Sequence, residues 1–246
     1  MVVGMAAEAR IARGLGWRVA IGGGTYAGAC DAVQQLIAAG CDALVSFGLA
    51  AGLDSALRPG ALIVPSKVLF EGEDPAPSSW PAMSRPATTS LRSSQAGADG
   101  RAKPGHDEAG TDRALNQMLG GATGHTLLGV TTVVTTCAAK RSLYGRTGAA
   151  AADLESGAVA RIAVRHRITF AALRAICDPA ERTLPPAALV ALNARGAIGI
   201  GRVLRSLLVQ PSQLHGLWAV AQDAGAARRS LIGRVNAITA AMRDLR

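Results

Sequence analysis

Short apolar runs alternate with longer amphipathic segments along most of the chain. Seven runs have the length and composition of buried strands: residues 2–5, 17–22, 43–47, 61–69, 126–135, 149–153 and 169–177. Four segments between them have the length and pattern of helices: from about residue 6, 26–39, 138–146 and 155–166. Because a β-α-β order places helices on both faces of a sheet, the pattern predicts an α/β fold. We expect a mixed, mostly parallel central sheet flanked by helices, in a single domain over residues 1–246.

Two segments depart from this alternation. Residues 71–110 are rich in Pro, Ser, Gly and charge and show no helical or strand period, which predicts a flexible surface insert. An active-site lid is the alternative. From Pro186 onward the chain is helical in pattern with a break at residues 210–212, and residues 206–246 form an extension rich in Leu and Arg. Packing on the sheet or on another subunit is expected for it, and a basic face lying on a membrane is the alternative.

Composition narrows the classes of partner. Hydrophobic residues make up 49% of the 246 residues, which is ample for a core, whereas aromatic residues make up only 3% and leave few platforms for stacking bases. We therefore expect no nucleic-acid partner. The four cysteines stand apart without a CxxC pair or a histidine cluster, so neither a metal site nor a disulfide framework is expected. With no signal-peptide pattern and no long apolar run, the expected location is cytoplasmic.

The formal net charge of +9 is unevenly distributed. Seven of the 17 acidic residues lie between Glu71 and Asp112, so the remainder of the chain is more basic than the average. A basic surface favours weak contact with an anionic membrane, which would make the protein peripheral at the inner membrane. A solvated basic surface without a partner is the alternative.

Four carboxylates outside the insert follow predicted strands. Glu8 follows the first strand, Asp153 and Glu155 follow the strand that begins at residue 149, and Asp178 ends the strand that begins at residue 169. Because the carboxyl ends of parallel strands meet at one edge of a sheet, these acids are expected to share a pocket. Simpler interpretations also stand: Asp153 as a helix cap, Glu155 as a first-turn acid favoured by the helix dipole, and Asp178 as a turn residue before Pro179.

Glycine-rich turns are predicted at the same edge. The stretch "AIGGGTYAG" places Gly22, Gly23 and Gly24 between a strand and a helix, where backbone N–H groups can approach a phosphate, a ribose or a purine. Gly48 follows the next strand. The spacing is not GxGxxG and no Walker lysine is present, so the turns alone do not identify a ligand.

The motifs "GMAAEA", "GGGTYAG", "VSFGLAAGLDSALRPGALIV", "ADLESGAVA" and "LRAICDPAE", in this order, resemble the purine nucleoside phosphorylase and nucleosidase superfamily. Their order is similar to that of the methylthioadenosine/S-adenosylhomocysteine nucleosidases. The "CDPA" followed by "LPPAAL" and the Arg- and Leu-rich C-terminus resemble the hopanoid-associated branch. The resemblance implies a nucleoside-phosphorylase-like fold, a homo-oligomer, and an enzyme of hopanoid biosynthesis that releases adenine from adenosylhopane, a nucleoside with a bulky apolar 5′ group.

The resemblance also implies roles for single residues. Asp178 matches the catalytic acid that hydrogen-bonds or protonates N7 of the purine, and Glu8 matches the acid that activates water in the nucleosidases. Glu155 matches the glutamate that accepts the ribose hydroxyls, with Leu154 against the sugar.

Further ligand contacts are expected from position. Walls for the base are expected at Val134, Thr135 and Phe170. The side of the attacking nucleophile is expected at Gly22, Gly23, Gly24, Thr25 and Gly48.

The attacking group distinguishes hydrolysis from phosphorolysis. A phosphorylase binds phosphate with arginine and hydroxyl donors, but Ser46 stands at the family's arginine position and Leu49 replaces a small polar residue. Hydrolysis is therefore slightly favoured, with no cofactor and with phosphate as the alternative co-substrate. Two other functions remain open: a methylthioadenosine/S-adenosylhomocysteine nucleosidase or general purine nucleoside phosphorylase, and an inactive nucleoside-binding protein.

Overall fold

The computed structural model describes residues 1–70, 107–189 and 214–244. The strands of these residues are β1 (Val2–Val3), β2 (Ala20–Ile21), β3 (Ala43–Gly52), β4 (Leu62–Ile63), β5 (Lys67–Phe70), β6 (Asp107–Gly110), β7 (Thr126–Gly129), β8 (Ala151–Asp153) and β9 (Thr169–Asp178). The helices are α1 (Ala6–Ala12), α2 (Tyr26–Ala38), α3 (Arg113–Met118), α4 (Cys137–Thr147), α5 (Ser156–His166), α6 (Pro186–Leu189) and α7 (Leu214–Asp244). Most of the predicted insert and the predicted helix break at residues 210–212 lie outside the described residues.

The strands form one sheet in the order β2-β1-β3-β8-β7-β5-β6, and β9 pairs with both β3 and β4. Five of the eight strand pairings are parallel, namely β1 with β2, β1 with β3, β3 with β9, β5 with β7 and β7 with β8. The other three are antiparallel. The predicted fold class, an α/β fold with a mixed, mostly parallel sheet, is confirmed.

Strand β3 is the centre of the sheet. It runs parallel to β9 along its whole length, from Ala43 opposite Thr169 to Ala51 opposite Asp178. On its other side, β1 pairs with the middle of β3, and β8 runs antiparallel back from Gly52. Because three strands meet on β3, the residues that follow β1 and β8 are brought close to its second half.

Helices cover both faces of the sheet. Helices α2 and α5 pack together on one face, where they bury Ala, Val, Leu and Ile side chains against the strands. Helices α1 and α7 cover the other face. As expected for a C-terminal helix packed on the sheet, α7 buries one side, formed by Ala227, Leu231, Val235 and Ile238. This spacing is that of one stripe on a helix.

Three details differ from the sequence prediction. The run at residues 61–69 is two strands, because Pro65 has no N–H to continue a ladder and the N–H of Ser66 is used by His125 O. The last four residues of the predicted insert form β6, which pairs antiparallel with β5. Helix α3 was not predicted from the apolar pattern; it is only six residues long and is capped by Asp112, whose Oδ1 accepts the N–H of Leu115 at 2.8 Å.

Candidate active site

Glu8 joins the first helix to the central strand. It lies in the first turn of α1, is buried, and its Oε2 accepts the N–H of Met5 at 2.8 Å. Its Oε1 accepts the N–H of Leu49 in β3 at 2.9 Å. Leu49 therefore contributes its backbone here, and the side chain that departs from the family pattern packs into the apolar cluster under α7.

Asp153 and Glu155 come to the same place from the other side of β3. Asp153 ends β8, and its two oxygens accept the N–H and the hydroxyl of Ser156, at 3.1 and 2.7 Å, at the start of α5. It therefore serves as the helix-start acceptor that the simpler interpretation expected. Glu155 is the residue just before α5, and its Oε1 accepts the N–H of Gly24 at 3.3 Å.

Arg174 is the cation of this acid cluster. It lies in the middle of β9 and is 1% exposed. Its Nη2 is 2.5 Å from Asp153 Oδ2, 2.5 Å from Ser46 Oγ and 3.7 Å from Glu155 Oε2. The Ser156 hydroxyl oxygen also accepts from Nε of Arg174, at 3.2 Å, and lies 3.0 Å from Ser46 Oγ, whose own hydroxyl can donate to it.

Arg174 was not identified from the sequence, although the signal was present. It interrupts the apolar run "FAALRAICD" of a strand buried on both faces, and a buried guanidinium needs carboxylate or hydroxyl partners. Arg174 stands opposite Gly48 in the sheet, and its guanidinium reaches the hydroxyl of Ser46, two residues before Gly48. The network therefore explains the serine at the position where the family pattern has an arginine.

The cluster of Glu8, Asp153, Glu155 and Arg174 holds more negative than positive charge. Burial raises the pKa of Glu155 to about 8, and the nearby carboxylates of Glu8 and Asp153 add to the rise that Arg174 opposes. Burial also raises the pKa of Glu8, against the effect of Arg174 and of its backbone donors. Both glutamates therefore bind a proton more tightly than an exposed glutamate does.

Three glycines make this close approach feasible. A Cβ on Gly48 would lie 2.5 Å from Glu8 Oε1 and 2.7 Å from Arg174 Nη1. A Cβ on Gly4 would lie 3.0 Å from Glu155 Oε2 and 3.2 Å from Glu8 Oε2, and one on Gly22 would lie 2.9 Å from Glu155 Oε1. At Gly48 and Gly22 a side chain would force its neighbours to shift, and at Gly4 it would be tightly confined between the two glutamates.

Asp178 ends β9 and contacts a second buried cation. The side chain of Lys140, from α4, is fully buried and its Nζ is 2.7 Å from Asp178 Oδ1. Burial raises the pKa of Asp178, while Lys140 and then Arg182 act in the opposite direction. Both oxygens of Asp178 are buried and neither accepts a hydrogen bond of ordinary geometry from the described residues; Oδ1 has the ion pair with Lys140, whereas Oδ2 has no partner among them. This oxygen is free to contact a ligand.

Cys177 connects Asp178 to the acid cluster. Its thiol lies against Ala50 O, and burial together with the charges of Asp178 and Glu8 raises its pKa to about 12. The register of the sheet also places the end of β9 and the acid cluster in one region of the protein, because Asp178 stands opposite Ala51, two residues after Leu49, whose N–H holds Glu8.

Three more of the predicted site residues are half-buried. Leu154 lies half-buried between Asp153 and Glu155, and Val134 and Thr135 lie half-buried in the turn between β7 and α4. The O of Thr135 accepts the N–H of Leu184 at 2.8 Å, which ties this turn to the segment after Asp178. These residues are therefore near the end of β9.

Phe170 requires a correction. It lies at the start of β9, opposite Leu44, and eight residues of strand separate it from Asp178, about 26 Å at roughly 3.3 Å per residue. It is buried in the core among residues of α2 and α5 and cannot form a wall of the same pocket. The apolar character of the strand gave no indication of which end carries the ligand.

The glycine turn between β2 and α2 has few free donors. The N–H of Gly22 donates to Val3 O at 2.7 Å, and that of Gly24 donates to Glu155. Thr25 caps α2, since its Oγ1 accepts the N–H of Gly28 at 3.1 Å. Gly23 has a positive φ of 73° in the same turn. The turn thus holds Glu155 in place with donors that a phosphate would otherwise use.

Within residues 1–70, 107–189 and 214–244, no group of His, Cys, Asp and Glu side chains is arranged to hold a metal ion. The guanidinium of Arg174 supplies the positive charge among the acids of the cluster. None of the helices in this part of the chain has both the length and the apolar composition to cross a bilayer.

Comparison with known proteins gives one family and many similar structures. A family model described as the phosphorylase superfamily matches residues 19–204. Among curated proteins, no sequence matches this chain.

Three of the similar structures are nucleoside-cleaving enzymes by name. A mutant 5′-methylthioadenosine/S-adenosylhomocysteine nucleosidase from Helicobacter pylori, with 5′-methylthioadenosine in its active site, superposes with a TM-score of 0.58 at 14% identity, over 96% of each chain. The corresponding nucleosidase from Neisseria meningitidis, in complex with methylthio-immucillin-A, gives 0.55 at 14% identity, over 95% of this chain and 96% of that one. Futalosine hydrolase from Helicobacter pylori gives 0.53 at 16% identity, over 89% and 78%. At these identities the likeness concerns the fold.

Proposed function

This chain belongs to the phosphorylase superfamily, and we propose that it cleaves the N-glycosidic bond of a purine nucleoside, with adenosylhopane as substrate and adenine as product. The observation that carries the proposal is the unpaired, buried Oδ2 of Asp178, beside a separate cluster of buried carboxylates. A departing purine needs a proton or a hydrogen bond at N7. A sugar that becomes positive needs negative charge near its anomeric carbon.

In the proposed reaction, the acid and the sugar ligand are different residues. Asp178, whose pKa is raised by burial, gives its proton to N7 as the bond between N9 and the anomeric carbon breaks, and the bonding electrons leave with adenine. Glu155 accepts hydrogen bonds from the ribose hydroxyls, and its ionised form, which predominates only above about pH 8 in the free protein, stabilises the cationic sugar. Leu154, next to Glu155, contacts the sugar, and Val134 and Thr135 contact the base.

Water is the proposed nucleophile. Glu8, which also has a raised pKa, removes a proton from the water whose oxygen bonds to the anomeric carbon. Phosphate is less favoured because Arg174 is already engaged by Asp153 and two serine hydroxyls, and because the N–H groups of Gly22 and Gly24 are in use. Glu8 and Glu155 would also repel a phosphate dianion when ionised.

The 5′ group is assigned by the resemblance to the hopanoid-associated branch. A hopane is too large for a closed pocket, so the 5′ side of the sugar must open toward an apolar surface or the bilayer. A small 5′ group is the second candidate, because the similar nucleosidase structures hold methylthioadenosine or its analogue.

The test is adenine release by the purified protein from adenosylhopane, with and without phosphate, with the sugar product identified by mass. We expect free ribosylhopane at a rate that phosphate does not change. A phosphoribosyl product formed only with phosphate would establish a phosphorylase and remove Glu8 as the base for water.

A parallel assay with methylthioadenosine tests the 5′ group. Faster turnover of methylthioadenosine than of adenosylhopane would overturn the assigned substrate. Binding of adenine without release from either nucleoside would instead support a nucleoside-binding protein.

A further inference from the structure

Lys140 is buried in an unusual setting. Of the eleven residues of α4, all of them described, it is the only buried one. Its Nζ donates to Pro179 O and to Arg182 O, each at 2.8 Å, and contacts Asp178 Oδ1 at 2.7 Å. Two of the three N–H donors of the ammonium are committed to carbonyls that follow β9, and its charge is paired with the carboxylate that ends β9. Helix α4 thus meets this part of the protein through a charge and not through an apolar stripe.

We propose that Lys140 is a positioning residue of the reaction that acts through Asp178: it holds one carboxylate oxygen and leaves the other to face the purine. The inference rests on the proposed function, in which Asp178 is the acid. Lys140 touches neither the base nor the sugar in this account. Its effect on catalysis comes only from the orientation and the protonation of its neighbour.

The two carboxylate oxygens of Asp178 have different surroundings. Oδ1 meets the ammonium, while Oδ2 has no hydrogen-bond partner in the described part of the chain. Because the same ammonium also binds two carbonyls of residues 179–182, it cannot follow the carboxylate if the side chain rotates. The contact therefore fixes which oxygen remains available.

The charges around Asp178 identify Lys140 as its direct partner. Arg182 also faces Asp178, but its Nη2 pairs with Asp223 of α7 at 2.8 Å, and Asp223 opposes its effect. Cys177, with a pKa of about 12, is neutral at ordinary pH. Burial raises the pKa of Asp178 and Lys140 is the strongest opposing influence. Removal of Lys140 alone should therefore move the titration of Asp178 to higher pH.

The first measurement follows that titration without turnover. In protein labelled with ¹³C at aspartate carboxyls, Asp178→Asn identifies the Asp178 resonance. We expect its pKa to rise by about 1–3 units in Lys140→Met, the usual effect of losing an adjacent opposite charge. Lys140→Arg should stay close to wild type because it keeps the charge. Exposed Lys67, which pairs with Glu108, provides the control variant Lys67→Met, with no change.

The second measurement separates positioning from a general loss of structure. Lys140→Met should lower kcat by about 10²-fold with a smaller effect on KM, and should move the pH limb assigned to Asp178 upward. In the Asp178→Asn background the same substitution should cause little further loss. If Lys140→Met does not fold, Lys140→Gln replaces it, since its amide still donates two hydrogen bonds without a charge.

Two results would overturn the inference: an Asp178 titration that does not move when the charge at position 140 is removed, or an equal loss of kcat in the wild-type and Asp178→Asn backgrounds. A wild-type protein that releases no base would instead defeat the proposed function. In that case the carboxyl titration still decides whether Lys140 and Asp178 are coupled.

Discussion

At the scale of single residues, the described part of the chain buries more acids than bases. The buried carboxylates are Glu8, Asp153, Glu155 and Asp178, and the buried cations are Lys140 and Arg174. A buried charge without a partner is costly, so part of the excess is relieved by proton binding. Accordingly, burial raises the pKa values of Glu8, Glu155 and Asp178. A site that stores protons is suited to acid–base chemistry.

Asp178→Asn tests the acid. The amide keeps the size of the side chain but has no proton to give to N7, so we expect kcat for base release to fall by about 10²–10⁴-fold. Steady-state adenine release measures this. The control is Asp31→Asn, an exposed carboxylate on α2. An unchanged rate in Asp178→Asn would remove Asp178 from the mechanism.

Glu155 makes the stability of the fold dependent on pH. Its pKa is 4.5 as an ordinary glutamate and about 8 in the folded protein, so the folded state binds the proton more tightly than the unfolded state. The stabilisation is fully present below about pH 4.5 and is lost as the pH rises through about 8. The free energy of unfolding should therefore fall between pH 5 and 8, by on the order of a few kcal/mol at about 1.4 kcal/mol per pKa unit.

Glu155→Gln isolates this contribution. Glutamine resembles the protonated glutamate, so the variant should match wild type near pH 5 and be more stable near pH 8, although it loses activity. Urea unfolding over this pH range measures how the free energy of unfolding of each protein changes with pH. Glu108→Gln, at an exposed site, should keep the wild-type slope. A wild-type stability that rises with pH would contradict the argument.

At the scale of secondary-structure elements, the apolar pattern predicted the strands of the sheet well. Continuous apolar runs at β3 and β9 are typical of strands buried on both faces; β9 has nearly the expected bounds, whereas β3 continues five residues beyond the predicted end, to Gly52. The same pattern could not show that β8 runs antiparallel to β3, because strand direction depends on long-range pairing. Since β8 runs back from Gly52, Glu155 arrives beside Gly4 and Glu8, and not at the outer edge of the sheet.

The part of the candidate site that could be predicted from the sequence consists of carboxylates placed just after strands. Glu8, Glu155 and Asp178 follow strands and were found by that rule. Arg174 and Lys140 were missed, since one lies inside a strand and the other inside a helix that buries no other residue. Their burial depends on partners that are distant in the sequence. Such pairs become visible only in three dimensions.

Helix α7 offers a matched test of packing. Leu231 is 0% exposed and packs on the face of the sheet that α1 also covers, whereas its neighbour Ile232 is 45% exposed. Leu231→Ala should lower the free energy of unfolding by about 2–5 kcal/mol, because it removes buried carbon atoms and leaves a cavity. Ile232→Ala should change it by less than about 0.5 kcal/mol. Equal effects of the two changes would show that α7 is not docked in this way.

At the scale of the whole molecule, the net charge of +9 and the position of α7 bear on how a lipid-like substrate reaches the site. The buried stripe of α7 is used by the core, so only its outer side can contact a surface. At 3.6 residues per turn, Trp218, Arg229, Ile232 and Arg243 fall on one outer face, and all four are exposed. Trp218 is 69% exposed. An exposed Trp beside arginines is typical of a face that lies on an anionic membrane.

The proposed membrane contact makes a prediction about salt. The protein should sediment with vesicles that contain phosphatidylserine at low salt and be released at high salt, since the Debye length falls from about 30 Å at 0.01 M to about 3 Å at 1 M. Arg229→Gln and Arg243→Gln should each weaken binding about fivefold, because a basic residue near such a surface contributes about 1 kcal/mol.

Arg141→Gln, exposed on α4, is the control for attraction by net charge alone. If it weakens binding as much as the α7 variants do, the whole basic surface is responsible and α7 has no special role. If the protein ignores anionic vesicles even at low salt, membrane contact is wrong. A hopane-bearing nucleoside would then have to reach Asp178 and Glu155 from solution, which requires an apolar groove within the protein.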